Sequence, residues 1–347
     1  MPTTQPARAP VKTPAIQAAH LRDLLLAPHQ HPRGQPHLSA ASGLVRVGHW
    51  LYVVADDEHH LGVIEDGPRL AGEQNDSDLR ADPPVTLLRL FAGRLPKDKG
   101  KRKAVKPDLE TLVALPPLPG HPHGALLALG SGSRPTRETG VLLGLDARGA
   151  VLEGALQTIA LQGIYAGLRA QFADLNIEGA FVSNARGGKG DAMFCLLQRG
   201  NKGDARNACI RFDWHDMARW LGGDHAAPPA AHSVQLIALG SIKGVPLGLT
   251  DGAALSGGGG GWVFSAVAEN TGDSFTDGVC VGSALGVVAP DGSLRQLHRL
   301  KGKPKVEGIA LQEERAGEGG ALVITLVTDA DDPTQASQML RARLALL

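Results

Sequence analysis

Five times along the chain a small or acidic residue, in most cases followed by glycine, opens a short apolar run: Ser42-Gly43-Leu44-Val45, Glu110-Thr111-Leu112-Val113, Glu178-Gly179-Ala180-Phe181, Asp251-Gly252-Ala253-Ala254 and Glu307-Gly308-Ile309-Ala310. These markers stand 68, 68, 73 and 56 residues apart. A period of that size points to one supersecondary unit used repeatedly, each burying its apolar faces against the next. Within each interval the same order recurs: a short strand at the marker, a longer and more apolar second strand, then a third and a fourth. The second strands are 50–55, 124–129, 192–197, 262–268 and 321–328, and they read as nearly continuous apolar runs, the pattern of strands covered on both faces.

The fifth unit runs out of residues before its fourth strand, and Ala15–Leu26 has the length and pattern to supply it. The expected fold is therefore all-β: a five-bladed β-propeller with four-stranded blades, closed by an N-terminal strand that completes the last blade. Blades fall near 42–91, 110–161, 178–240, 251–300 and 307–347 plus 15–26, in a single domain from residue 15, with 1–14 expected as a disordered tail. An all-β sandwich with coincidental spacing is the alternative. The 45 glycines and 23 prolines agree with frequent turns. One helix is expected at Asp213–Leu221, where Asp213 can cap, Trp214, Met217 and Leu221 share a face, and Gly222 ends the run.

Composition excludes several functions. The 35 basic residues balance 35 acidic ones, so no overall field draws the chain to nucleic acid or an anionic membrane. Aromatics make up 4% of the chain, too few for base-stacking platforms. No apolar stretch reaches the roughly 18 residues of a membrane span. Cys195, Cys209 and Cys280 lack zinc or disulfide spacing and read as small apolar residues. The segment Met1–Gln17 has no signal-peptide core, so a cytoplasmic location is expected.

In an antiparallel meander the start of strand one and the end of strand two share a face. The markers should therefore ring one channel mouth, flanked by the loops that follow each second strand. Those loops are polar: Asp56-Asp57-Glu58-His59-His60, Gly130-Ser131-Gly132-Ser133-Arg134 with Arg137, Gln198-Arg199-Gly200-Asn201-Lys202, Glu269-Asn270-Thr271-Gly272-Asp273-Ser274 and Asp329-Ala330-Asp331-Asp332. Four marker carboxylates converging on one axis must bind a cation, pair with bases, or raise one another's pKa. Lys106, Lys243, Lys303 and Lys305 are near enough in sequence to pair with them, and structural pairing is the competing reading. An oxygen-rich ring suits a hard cation such as Ca²⁺.

The candidate metal ligands are thus Glu110, Glu178, Asp251, Glu307, Asp57 and Asp329. Glu178, Glu307 and His59 are the candidate catalytic groups. Ser131 and Ser133, on a glycine-rich turn that can act as an anion nest, together with Arg134, Arg137, Arg199 and Asn270, are the candidate ligand-binding groups. Gly187-Gly188-Lys189-Gly190 lacks P-loop spacing and reads as a hairpin loop, as does Gly257–Gly261. The basic run Lys97, Lys99, Lys101, Arg102, Lys103 and Lys106 reads as a mobile solvated loop; polyanion binding through it is a further alternative.

The motifs Lys106-Pro107-Asp108-Leu109-Glu110, Gly130-Ser131-Gly132-Ser133, Asn176-Ile177-Glu178-Gly179, Asp273-Ser274-Phe275-Thr276-Asp277-Gly278 and Lys305-Val306-Glu307-Gly308 carry a resemblance. The pattern resembles bacterial β-propeller proteins of unknown function, distantly related to the esterase-like and phytase-like propeller families. That resemblance implies calcium and phosphoester hydrolysis at the channel mouth. The expected function is a mouth site for a small anionic or phosphorylated ligand, with metal-assisted hydrolysis as its catalytic form. The alternative is a non-catalytic propeller binding a macromolecular partner across its polar face.

Overall fold

The computed structural model describes residues 15–66, 83–183, 192–200, 206–223, 227–256, 260–271, 278–314 and 321–346. The expected tail at 1–14, the hairpin glycines 187–190 and 257–259, Asn201-Lys202 and the motif residues 272–277 lie outside them.

Five antiparallel meander sheets form the blades. Blade 1 holds Ala41–Val47, Trp50–Ala55, His60–Glu65 and Thr86–Arg89; blade 2 holds Leu109–Leu115, Ala125–Gly130, Thr139–Leu145 and Val151–Ala160. Blade 3 holds Ile177–Ser183, Met193–Gln198, Ala208–Asp213 and Ser233–Leu236. Blade 4 adds the two-residue strand Ser241–Ile242 before Val245–Ala254, Trp262–Asn270, Val279–Val288 and Leu294–Arg299. Blade 5 runs Val306–Glu314, Ala321–Thr328 and Gln338–Ala345, and Ala19–Asp23 from the start of the chain pairs antiparallel with Gln338–Ala345 as its fourth strand. Each innermost strand contacts those of both neighbours, and Val306–Glu314 meets Ala41–Val47 to close the ring. The five-bladed propeller and its N-terminal closure are as the repeat implied.

The core is divided among the blade interfaces. Five apolar clusters fill the five gaps between adjacent blades. The second strand of blade 2 shows why its sequence is unbroken in its hydrophobicity: Ala125, Leu127 and Leu129 pack toward blade 3, while Leu126 and Ala128 pack toward blade 1. Side chains alternate across a strand, so a strand with apolar neighbours on both faces needs apolar residues at every position.

The glycine after the marker also has a packing reason. A Cβ at Gly43 would lie 2.8 Å from the Leu112 backbone nitrogen, at Gly179 2.8 Å from Asp251 Cα, and at Gly308 2.9 Å from the Leu44 nitrogen. These glycines let the inner strands of adjacent blades approach closely around the axis.

Three α-helices decorate the blades among the described residues. Trp214–Leu221 is where it was expected: Asp213 accepts from the Asp216 N–H at 3.0 Å, and Met217, Ala218, Trp220 and Leu221 are buried. Gln162–Arg169, which buries Ile164, Tyr165 and Leu168, joins blades 2 and 3. The third, Lys99–Val105, corrects the reading of the basic run as a mobile loop. Asp98 caps it through the Lys101 N–H at 2.8 Å, and Arg102 is 5% exposed with its guanidinium on the carbonyls of Pro96 and Lys97. None of the described helices is long and apolar enough to cross a membrane.

Candidate functional site at the channel mouth

Each inner strand skips one residue in its pairing with the second strand. The skipped residues are Ser42, Glu110, Glu178, Thr250 and Glu307. Four of them are the expected markers; the fourth blade is the exception. There the structural equivalent is Thr250, and Asp251 stands one residue further on, which turns its side chain to the other face of the strand. Asp251 is buried, its carboxylate accepting from the N–H groups of Gly252 and Ile309 at 2.8 Å each. It latches blade 4 to blade 5 and is absent from the lining of the mouth cavity. Burial raises its pKa well above the carboxylate range, against those two hydrogen bonds. As a metal ligand alongside the other markers it is therefore misplaced by one residue. Thr250 bonds to Ser265 and to the Val306 carbonyl instead.

Glu110, Glu178 and Glu307 do line one cavity of about 930 Å³, measured out to its open mouth. Two cations organise the side of it formed by blades 3, 4 and 5. Arg199, 4% exposed at the end of the second strand of blade 3, reaches Glu178 at 3.2 Å, Glu307 at 3.4 Å and Glu269 at 2.6 Å. It joins carboxylates from three blades, and it crosses blade 4 over Gly248, where a Cβ would meet its Cγ at 2.8 Å. Lys305 lies 2.6 Å from Asp331, 3.5 Å from Glu307 and 3.6 Å from both Glu269 and Asp329. Burial pushes Glu178 up to about 7 despite the nearby Arg199, and it raises Glu307 and Asp329 too. Burial disfavours the charge of Lys305, but Glu307, Asp329 and Glu269 together hold its ammonium well above the usual lysine value.

The other side lies against blades 1 and 2. Oxygens of Asp56, Asp108 and Glu110 come within 4.8 Å of one another. Lys106 Nζ bonds to Asp56 and lies 2.8 Å from Asp108 Oδ1. Glu110 has no hydrogen bond or ion pair with any of the described residues, and burial, with Asp108 and Glu178 nearby, pushes its pKa well up. Asp108 has a positive φ of 56°, a conformation Asp adopts more readily than most residues. Three groups grip its Oδ2 or the atoms beside it: Ser131 Oγ at 2.6 Å, Arg137 at 2.6 Å, and Ser133 through Ser131 and Arg137.

This last arrangement changes the reading of the glycine-rich turn. Ser131, Ser133 and Arg137 do surround an anion, and the anion is the protein's own Asp108. The N–H of Ser131 goes to the Asp108 carbonyl and that of Gly132 to the Arg137 carbonyl, so the turn is filled from within. Arg134 is exposed, Asn270 is exposed at a strand end, and neither lines the cavity. His59 also lies outside the lining, packed on Phe91 at 5.5 Å; burial and His60 lower its pKa. Asp57 lines the cavity but is gripped by Arg33 at 3.2 Å and Arg102 at 3.1 Å. Burial, with Asp56 and Glu58 beside it, raises it to about 6. Asp329 lines the cavity and accepts from the Asp331 N–H at 2.8 Å. Of the four lysines proposed as partners of the markers, Lys305 pairs with Glu307 and Lys106 pairs with Asp56 and Asp108 rather than with Glu110; Lys243 and Lys303 are exposed.

Sequence reasoning passed over Asp56, Asp108 and Glu269 as site residues. A signal for Asp108 was present: it stands two residues before its marker, in register with Asn176 and Lys305, and all three line the cavity.

A family of unknown function (DUF6929) matches residues 37–344, which takes in strands of all five blades and leaves out the closing strand Ala19–Asp23. The chain belongs to that family. Curated proteins gave no match. Among solved structures, this family member is similar to the glutaminyl cyclase of Myxococcus xanthus, at 10% identity and a TM-score of 0.44 over 96% of this chain and 100% of that one. It is also similar to a gluconolactonase of Xanthomonas campestris, at 12% identity and a TM-score of 0.35 over 95% and 99%. Likenesses this distant carry no argument about activity.

Proposed function

We propose that the mouth is a divalent-cation site on which a small anionic ester, such as a phosphoester, is bound and hydrolysed. The observation that carries this reading is the convergence of Asp56, Asp108 and Glu110 within 4.8 Å, in a cavity open to solvent. Carboxylate oxygens alone suit a hard cation, and Ca²⁺ accepts such a set while leaving positions for water and ligand. When bound, the cation would polarise a phosphoryl or acyl oxygen and acidify a coordinated water. Asp108 is held ready by Ser131 and Arg137 whatever occupies the site. Glu110, with no donor among the described residues, is the carboxylate left for the cation, which would take it deprotonated. Glu178 and Glu307 serve by anchoring Arg199. Lys99 and Lys103, which line the rim, supply positive charge toward an incoming anion. The esterase-like and phytase-like resemblance agrees with this chemistry.

The test is a thermal melt in excess Ca²⁺ and again in chelator, with a phosphoester and carboxyl-ester panel. A ligand at 100 times its dissociation constant adds about 2.7 kcal/mol of stability. Wild type should show that shift and Glu110→Gln should lose most of it while melting normally in chelator. No shift in wild type would remove the metal reading.

A second reading has its own support. Arg199 and Lys305 are each committed to three or more carboxylates, so the charges on their side of the mouth largely neutralise one another. That favours a non-catalytic propeller presenting its polar face to a macromolecular partner, with no turnover and no response to chelator.

A further inference from the structure

We infer that Lys106 is the resident cation of the Asp56, Asp108 and Glu110 cluster, and that a divalent ion enters by displacing its ammonium. The inference rests on the metal reading proposed above and specifies how that site is gated. Lys106 Nζ bonds to Asp56 and is 2.8 Å from Asp108 Oδ1, and the side chain is 7% exposed residue-wide, so the charge has left water to sit there. Two oxygens on opposite sides of a single Ca²⁺ are at most about 5 Å apart. Three carboxylates whose oxygens lie within 4.8 Å of one another therefore have room for one cation. Ammonium and metal exclude each other.

The surroundings are built for exchange at that point alone. Asp108 is fixed through Oδ2 by Ser131 and Arg137 at 2.6 Å each, which leaves Oδ1 to whichever cation is present. Lys106 is the C-cap of the Lys99–Val105 helix. That helix is pinned separately, by Arg102 on Asp57 and on the carbonyls of Pro96 and Lys97. The Lys106 side chain can thus swing out without unseating the helix, toward the rim where Lys99 and Lys103 already line the cavity. Lys305, which also lines the cavity, faces Glu269, Glu307, Asp329 and Asp331 instead.

Calorimetric titration of Ca²⁺ into wild type and Lys106→Met tests the exchange. Methionine keeps much of the stem and removes the competing charge. The variant should bind at least tenfold more tightly than wild type, and uptake by the variant alone would support the exchange equally. In parallel, acetic anhydride labelling of wild type read by mass spectrometry should show Lys106 acetylation rising several-fold when Ca²⁺ is added. Should Lys106→Met fail to fold, that labelling decides the matter on the native chain. Wild type that binds Ca²⁺ with Lys106 still protected, or with affinity unchanged or weakened in the variant, overturns the exchange and leaves the metal site standing. No uptake by either protein overturns both.

Discussion

At the scale of single residues, Arg199 is the side chain on which the mouth depends most. Its guanidinium lies among Glu178, Glu269 and Glu307, all nearly inaccessible. A buried ion pair adds little net stability over an apolar replacement of the whole group, but removing one partner strands the others. Arg199→Met should therefore cost about 3–5 kcal/mol in urea unfolding. Adding Glu178→Gln should recover part of that loss, because it removes one stranded charge. Equal stability of Arg199→Met and wild type would mean the glutamates find other partners. Nothing local to Gln198-Arg199-Gly200 reveals this role: the partners Glu269 and Glu307 lie 70 and 108 residues away. From sequence, an arginine on a polar loop looks like a hand for an external anion; here three internal carboxylates take it up.

At the scale of elements, the approach of one blade to the next decides which side chains fit. Gly248 illustrates it. An alanine Cβ there would lie 2.8 Å from Arg199 Cγ, so Gly248→Ala should cost about 1–3 kcal/mol by overpacking. The same substitution in an Arg199→Ala background should cost almost nothing, and a double-mutant cycle measures the coupling. A full cost in both backgrounds would place the strain in the strand itself. The helices show how far local pattern carries. Trp214–Leu221 was readable because its cap, its apolar face and its terminating glycine are all in the same ten residues. Gln162–Arg169 was not, since Gly163 and Gly167 dilute the pattern and its three buried residues become a face only against blade 3. Lys99–Val105 was hidden for a different reason: six cations in ten residues look solvated until the acceptors for Arg102 are known.

At the scale of the whole molecule, the ring is held by contacts between blades far apart in sequence. One of them titrates. Tyr52 in blade 1 is 1% exposed and donates its hydroxyl to the Gly149 carbonyl of blade 2 at 2.7 Å. Burial, with Asp146 nearby, pushes this phenol up to about 12 against a backbone hydrogen bond that lowers it. In the unfolded chain it ionises near its ordinary value of 10.0. The folded state thus holds a proton that the unfolded state releases above pH 10. Its contribution is complete below pH 10 and is lost as pH rises toward about 12. Unfolding free energy between those values should fall less steeply, by close to one proton, in Tyr52→Phe than in wild type. Identical slopes would show that Tyr52 ionises as freely in the fold as out of it.

The number of blades, the order of strands in each and the use of Ala19–Asp23 to close the ring were all legible from short apolar patterns that recur along the chain. A strand covered on both faces must be apolar throughout, and a unit that cannot bury itself must recur. The chemistry of the mouth was settled elsewhere. Asp251 and Thr250 are neighbours, and a single skipped residue puts Thr250 in the marker's place and keeps the Asp251 carboxylate out of the cavity lining. The serines and arginine of the glycine-rich turn close on Asp108 once the first two strands of blade 2 pair, and Lys106 reaches Asp56 only once blades 1 and 2 are side by side. Charges act over ångströms in space and take no account of separation along the chain. Which carboxylate is neutralised and which is left for a ligand is therefore a property of the closed ring.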